Sequence, residues 1–537
     1  MKKFILAALW AWAPLMALAQ TGTNPTVPTN AALQALSTVT TSTVTRLGFN
    51  TAGDVPALTY LASSSACSLN SGAGDNGSQV KSANGLCWIA NFPAGPLDVR
   101  EWGVVANGAT TDNTSALQAA WTYGGTVNND ILLPPSDSTN YVKFSQLTAP
   151  VGNAGTPASG QGPLSAIRGR GVGQTVLEST VTGSNCAITF NAPTTTYTNA
   201  ASNRALSDFQ LISSASSGTG ICLNQITGME LANFNVQQFA MGLVANDAIK
   251  IRLDNPQFLG NATAINAGTT GVSNPNQWVI INPYVNSQSA TSFLFKNGAD
   301  IDIYGGDFED NNTTNSSGNA TIEMYGNPLQ GRKGLSVFGG YYELNGGSAD
   351  FLFVQLASDG SGSHSINGVE QARISNTTFV KSAIELVNNY GGSGQTNIDV
   401  RGSAFWSSSP YTPNASTPYI KISAPSTANY HITGYDSNYF QKNVEAPEIC
   451  PINTACMNLP DGHIEEWGQV TSGSTGTGFP VAVTWPLACP NAVDSVATFA
   501  VNAGGPYTTG VGVETTTGTT LYAGAAGVAI GWRMLCH

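Results

Sequence analysis

Residues 303–311 read IYGGDFEDN and residues 337–345 read VFGGYYELN. Each sets a glutamate, Glu309 or Glu343, directly after an aromatic that follows a double glycine and one further residue. Only 10% of the chain is charged, so a carboxylate repeated in one setting is a candidate for chemistry. Two unpaired carboxylates held side by side repel, and one of them titrates high. Acid/base cleavage of a glycosidic bond uses such a pair, a protonated acid beside an ionised partner. A separation of about 5 Å suits a retaining hydrolase and about 6.5–9.5 Å an inverting one. Asp302 and Asp307 stand near enough in sequence to take either role. The aromatics Tyr304, Phe338, Trp406 and Trp278 would stack on sugar rings. Arg373 and Arg401 would bind substrate or, with Arg332 and Lys333, serve elimination beside a uronate. Each glutamate alone also fits a solvated face, or a corner where its carboxylate accepts backbone N–H bonds.

These residues sit in a repeat. Alternating segments close on an aromatic at Phe258, Tyr284, Phe308, Tyr342, Phe379, Phe405 and Phe440, with spacings of 26, 24, 34, 37, 26 and 35 residues. LSDFQL near Phe209 and MELANFNV near Phe234 are earlier members. Strict alternation marks strands, and Gly or Asn before the aromatic marks a tight bend. A unit this short cannot bury its apolar side alone, and stacking such units gives a parallel β-solenoid. A propeller blade would need about 40–50 residues per repeat. In one coil Ile301, Ile303 and Phe308 point inward, leaving Asp302, Tyr304 and Glu309 outside. In the next, Leu335, Val337 and Tyr342 point inward, leaving Ser336, Phe338 and Glu343 outside. Later coils expose Arg373, Ser375 and Val380, then Asp399, Arg401 and Trp406; Trp278 lies one coil earlier. Coils about 4.8 Å apart put Glu309 over Glu343.

The remaining chain bounds the partners. Lys2 and Lys3 precede an apolar run from Phe4 to Leu18, and Ala17-Leu18-Ala19 supplies a cleavage site, so residues 1–19 read as an export signal. No later segment reaches about 18 consecutive apolar residues, so no membrane insertion is expected. A net charge of −12 argues against nucleic acid and anionic membranes. Eight cysteines fall as neighbours, Cys67/Cys87, Cys186/Cys222, Cys450/Cys456 and Cys489/Cys536, which suggests disulfides in an exported protein. No C-x-x-C occurs and the four histidines are scattered, so neither a metal site nor a cofactor is expected. Residues 20–60, Thr-rich and low in charge, read as a stem with little core, and 61–96 as a small domain closed by Cys67 and Cys87.

Upstream of the coils come LDVREWGVVANGATTDNTSALQAAW from Leu97, ILLPP at 131–135 and AIRGRGVGQTVL at 166–177. This order resembles the N-terminal cap of the pectate-lyase-like, right-handed parallel β-helix superfamily. Asp112 and Thr114 would start a helix whose Ala116, Leu117 and Ala120 cover the open end of the solenoid. That superfamily includes lyases, hydrolases, phage tailspikes and non-enzymes. LPDGHIEEWG (459–468), FPVAVTWP (479–486) and VAIGW (528–532) resemble the C-terminal domain of phage tail fibres, a small β-sandwich that trimerises and often touches the receptor. The expected fold is therefore all-β, a β-helix over 97–447 followed by a sandwich over 448–537. The resemblances imply a homotrimeric tailspike-like protein, secreted or on a virion tail, that binds and hydrolyses a surface polysaccharide. The alternatives are a non-catalytic receptor-binding fibre or adhesin, and a polysaccharide lyase. The polygalacturonase pattern is absent, and Asp300, Asp302 and Asp307 make only a thin calcium set.

Overall fold

The computed structural model describes residues 25–37, 41–150, 165–191, 198–199, 204–268, 275–296, 299–312, 320–325, 334–343, 345, 349–355, 371–380, 384–388, 395–406, 420–423, 429–433, 439–440, 455–458, 464–473, 480–484, 493–501, 509–512, 514–515, 518–523 and 525–536. The expected export signal, Arg332 and Lys333 lie outside them.

The Thr-rich segment is not a coreless stem. Strands Thr26–Val27, Thr43–Arg46, Leu58–Ser63, Cys87–Asn91 and Gln79–Lys81 lie side by side in that order. In TVTR the threonines alternate with Val44 and Arg46, so threonine supplies the outer face and the alternate positions are buried. Val44, Leu58, Tyr60, Val80 and Trp88 form this sheet's core with Leu33. Cys67 and Cys87 are disulfide-linked. Arg46, fully buried, ties the sheet to the turn that leads into the solenoid cap. It pairs with the Glu101 carboxylate, donates to Asn30 Oδ1 at 2.9 Å, and lies 5.2 Å from the Phe49 and Tyr60 ring centres.

Helix Thr114–Val127 then covers the end of the solenoid, burying Leu117, Ala120 and Trp121. Asp112 accepts the Thr114 N–H at 2.9 Å, while Ala116 is only half-buried and Trp121 fills the space expected of it. Beyond it, parallel strands stack coil on coil into a 20-stranded sheet and a facing 10-stranded sheet. Ile301, Ile303, Phe308, Leu335, Val337 and Tyr342 are all inside. Cys186–Cys222 links two adjacent coils.

From Asp208 onward, one corner of the described coils holds a left-handed residue, which explains the Gly and Asn of the repeat. Asp208, Asn233, Asn255 and Asn282 have φ of 63°, 49°, 47° and 47°, and Gly305 continues the column at 66°. Asn233 donates to Asp208 Oδ1 at 3.1 Å and Asn255 to Asn233 Oδ1 at 3.0 Å, so side-chain amides form a ladder along the corner. A Cβ on Gly305 would come within 2.7 Å of Asn282 Oδ1. Glycine there satisfies both the backbone and the space beside the Asn282 amide.

The asparagine that ends the opening motif has its own task. Asn311 Nδ2 donates to Val285 O at 2.9 Å, and Asn345 Nδ2 to Phe308 O at 3.0 Å, each reaching one coil back. Asn345 Oδ1 in turn accepts the Asn311 N–H at 3.0 Å. The corner device of aromatic–Glu–x–Asn is thus the amide, and the glutamate is left for the surface.

Antiparallel strands close the chain in two sheets: Ala455–Asn458, Ile464–Thr471, Ala529–Cys536 and Val493–Val501, and Val481–Thr484, Gly518–Ala523 and Thr509–Val511. Val483, Val528, Ile530 and Trp532 are buried between these sheets and form this domain's core. Phe499 remains 56% exposed. The pairings Cys450/Cys456 and Cys489/Cys536 fall outside the described residues. Among those described, no helix is long and apolar enough to cross a membrane.

Candidate functional site

Strand register places the candidate residues in columns. On the short strands after the corner, Tyr284, Asp307 and Tyr341 are neighbours in one column, and Asn286, Glu309 and Glu343 in the next. Glu309 and Glu343 are therefore direct cross-strand partners, and Asp307 stands between two tyrosines. On the long strands before the corner, one outward column runs Asp302, Ser336, Arg373, Asp399, and its neighbour Tyr304, Phe338, Ser375, Arg401. Between the two sets lie the paired glycines 305–306 and 339–340, all at positive φ. A Cβ on Gly306 would meet Pro283 Cγ at 2.7 Å, so the coils close on one another here only because the side chain is missing.

The acidic set is electrostatically uneven. Asp307 is half-buried, and its buried Oδ1 has no hydrogen-bond partner among the described residues. Burial, then the charge of Glu343, pushes this carboxyl above its ordinary value. Glu309 is raised too, by desolvation first and then by Asp307, Glu343 and Asp310. Glu343 has a dedicated donor, the Tyr341 hydroxyl at 2.7 Å, and that bond pushes the Tyr341 phenol up to about 12. The site thus sets a carboxyl biased toward its protonated form beside one that accepts a tyrosine hydroxyl.

Asp302 is not part of this set. Its carboxyl is raised by burial, is held by the Ser336 hydroxyl, and senses Asp300 and Arg373 rather than the glutamates. Tyr304 and Phe338 stack on each other with ring centres 5.0 Å apart and planes at 14°, and Tyr304 is 40% exposed. Trp406 ends an outer strand paired to Val380, its side chain outside the described set.

Trp278 is a correction. It is fully buried, donates its indole N–H to Ala248 O at 2.8 Å and packs edge-on against Phe295, so it offers no surface to a sugar. Its register partner is the inward Ile301. Sequence alignment on closing aromatics equates Tyr284 with Phe308, but Val285 fills that inner slot and Tyr284 faces out, 36% exposed, beside Asp307. A shift of one residue exchanges the faces of a strand. Tyr284 and Tyr341 are the site residues that the sequence reading missed; Tyr341, immediately before an inward aromatic, carried the signal. Among the described residues, no group of three or more His, Cys, Asp or Glu side chains is placed to hold a metal ion.

Residues 458–532 match the family model described as tail fiber protein gp53-like, C-terminal. No curated protein matches the chain. Among solved structures, the tailspike gp42 of an Acinetobacter phage is similar over 96% of this chain and 94% of its own, with a TM-score of 0.52 and 13% identity. A second Acinetobacter phage tailspike overlaps over 96% and 99%, with a TM-score of 0.48 and 13% identity. Tailspike gp49 of the Acinetobacter baumannii bacteriophage Fri1, a capsular polysaccharide depolymerase, overlaps over 95% and 98%, with a TM-score of 0.41 and 11% identity. The chain thus has the parallel β-helix fold of phage tailspikes, and its end matches a tail fibre C-terminal domain.

Proposed function

We propose that the protein is a tailspike that binds a surface polysaccharide across the outer face around residues 284–343 and hydrolyses it. The observation that carries this is Asp307, a half-buried carboxyl with an unpartnered oxygen, set beside Glu343 with its own tyrosine donor. Asp307 gives its proton to the glycosidic oxygen as the bond to the anomeric carbon breaks. Glu343 faces the positive charge that develops, with Glu309 adding its charge to the cluster, and water then forms the new bond to the anomeric carbon and gives its proton to Asp307, now a carboxylate, which restores the site. Tyr284 and the Tyr304–Phe338 stack supply flat surfaces for sugar rings. Release of new reducing ends from a capsular or exopolysaccharide, without an ultraviolet-absorbing double bond, is the expected result. Unsaturated ends would replace hydrolysis by elimination, and binding without cleavage would leave a receptor-binding fibre using the same aromatic stack.

The same proposal makes the protein a homotrimer on a virion tail or outside the cell, with residues 1–19 removed on export and 448–537 joining the chains. The exposed Phe499 and the tail fibre match support association there. Light scattering is expected to give three times the chain mass, and deletion of 448–537 to give a monomer with an unchanged β-helix circular dichroism spectrum. A full-length protein of one chain mass would refute the trimer.

A further inference from the structure

Next to the acidic set, on the long strands, the aromatic column ends abruptly. One face of the Phe338 ring is covered by Tyr304. On the other side its register neighbour is Ser375, whose side chain is too short to reach the ring's outer part, and the next residue in the column is Arg401. Phe338 and Arg401 are two strand spacings apart, about 9.6 Å. One sugar ring with van der Waals contacts of about 4 Å on each side fits such a gap.

The charges around this slot are unusual among the described residues. Arg252 shows the ordinary arrangement, one arginine beside one aspartate two residues on, at 3.4 Å. Around the slot two arginines share one carboxylate: Arg401 Nε donates to Asp399 Oδ1 at 2.5 Å, and Arg373 Nε lies 3.7 Å from Asp399 Oδ2. Both approach through Nε, and their side chains are 46% and 62% exposed for Arg373 and Arg401. Asp302, two strands from Arg373, has the Ser336 hydroxyl as its hydrogen-bond partner. A guanidinium presents donors in a planar fork suited to bidentate carboxylate recognition. Resting on the proposed polysaccharide binding, we infer that the slot between Phe338 and Arg401 binds a carboxylated sugar residue, so that the substrate is an acidic polysaccharide. Its ring lies against Phe338 over Ser375 and its carboxylate takes donors from Arg373 and Arg401. The neighbouring subsite at Asp307, Glu309 and Glu343 repels anions, so it takes an uncharged residue of the same polymer.

The test uses the full chain on an array of acidic and neutral bacterial capsular polysaccharides, followed by calorimetry on each polymer bound and on its carboxyl-reduced form. Bound polymers are expected to carry carboxylates, and reduction to alcohols should weaken binding about tenfold to a hundredfold, the range for lost charge-assisted hydrogen bonds. Arg373→Gln and Arg401→Gln should each weaken binding of the native polymer about tenfold and leave the reduced polymer's affinity unchanged, with Lys at either position restoring part of the loss. Their melting temperatures, measured alongside, should match the wild type because both side chains are exposed. Binding of neutral polymers, or equal affinity before and after reduction, would overturn the acidic substrate and leave polysaccharide binding standing. No binding to any polymer would overturn both.

Discussion

Asp307→Asn and Glu343→Gln are each expected to lower polysaccharide cleavage by about 10²- to 10⁴-fold, the range for loss of a positioned acid or base. Glu309→Gln should cost less, because Glu309 acts through the charge it adds to the cluster. Binding should survive in all three, since the stacking surfaces are untouched. The pH dependence has a definite sign. Asp307 works while protonated, so its raised pKa carries activity above the ordinary carboxylate range, and activity falls as pH rises through that value. Tyr341→Phe, which removes the hydroxyl donor to the Glu343 carboxylate, should lower turnover while leaving binding in place. For stability, Asp302, Asp307 and Glu309 are all raised in the folded chain. Their contribution is therefore complete below the unfolded carboxylate pKa and is lost as pH rises through the folded values. Asp307→Asn should accordingly not lower the melting temperature at neutral pH. Turnover rates, calorimetric affinities and melting curves on one substrate check these results together. Unchanged turnover in both the Asp307 and Glu343 variants would remove the hydrolytic assignment; joint loss of folding and activity would make the residues structural.

Arg46→Ala is expected to be the most damaging single change to stability away from the site, costing about 3–5 kcal/mol, as for other buried ion pairs deprived of one partner. The guanidinium is fully buried, and its removal leaves Glu101 without its cation and Asn30 Oδ1 without its donor. Burial pushes Glu101 up to about 7 even against the pull of Arg46. Its contribution in the wild type is therefore full below about 4.5 and is lost as pH rises through about 7. Without the cation the folded pKa climbs further, so the variant's deficit should grow between about pH 5 and pH 8. Denaturant unfolding at both pH values measures this, and limited proteolysis should show cleavage between the N-terminal sheet and the capping helix first. A variant as stable as wild type at pH 8 would mean that water or another group replaces the guanidinium.

Much of the site was legible because stacking turns sequence spacing into position. Once Phe308 and Tyr342 are recognised as inward residues one coil apart, Glu309 and Glu343 must be neighbours on the outer surface, and the register pairs them. Tyr304 and Phe338 follow from the same alternation, and their rings stack. The solenoid itself was equally legible, since no shorter unit could bury its apolar side. The Thr-rich segment was misread because composition measures how few large apolar residues a stretch holds. In a sheet with one buried face, Val44, Leu58 and Tyr60 join Leu33, Val80 and Trp88 in one core while threonine covers the other face.

What the amino-acid sequence determined alone was the local rule: which residues alternate, where a left-handed corner must fall, and which carboxylates repeat. Tertiary structure decided which face each residue takes when two fillers compete for one inner slot. Val285 and Trp278 occupy inward positions, so Tyr284 is displaced to the surface beside Asp307. It also decided which carboxyl is biased toward protonation. Asp307, Glu309 and Glu343 are alike as isolated acids, and only burial beside Tyr284 and Tyr341 leaves Asp307 with an unpartnered oxygen while giving Glu343 a donor. The convergence of Arg373 and Arg401 on Asp399 joins residues from successive coils, and no local pattern records it. Local periodicity is set by bonds along the chain, whereas desolvation and charge pairing depend on what the neighbouring coils place alongside.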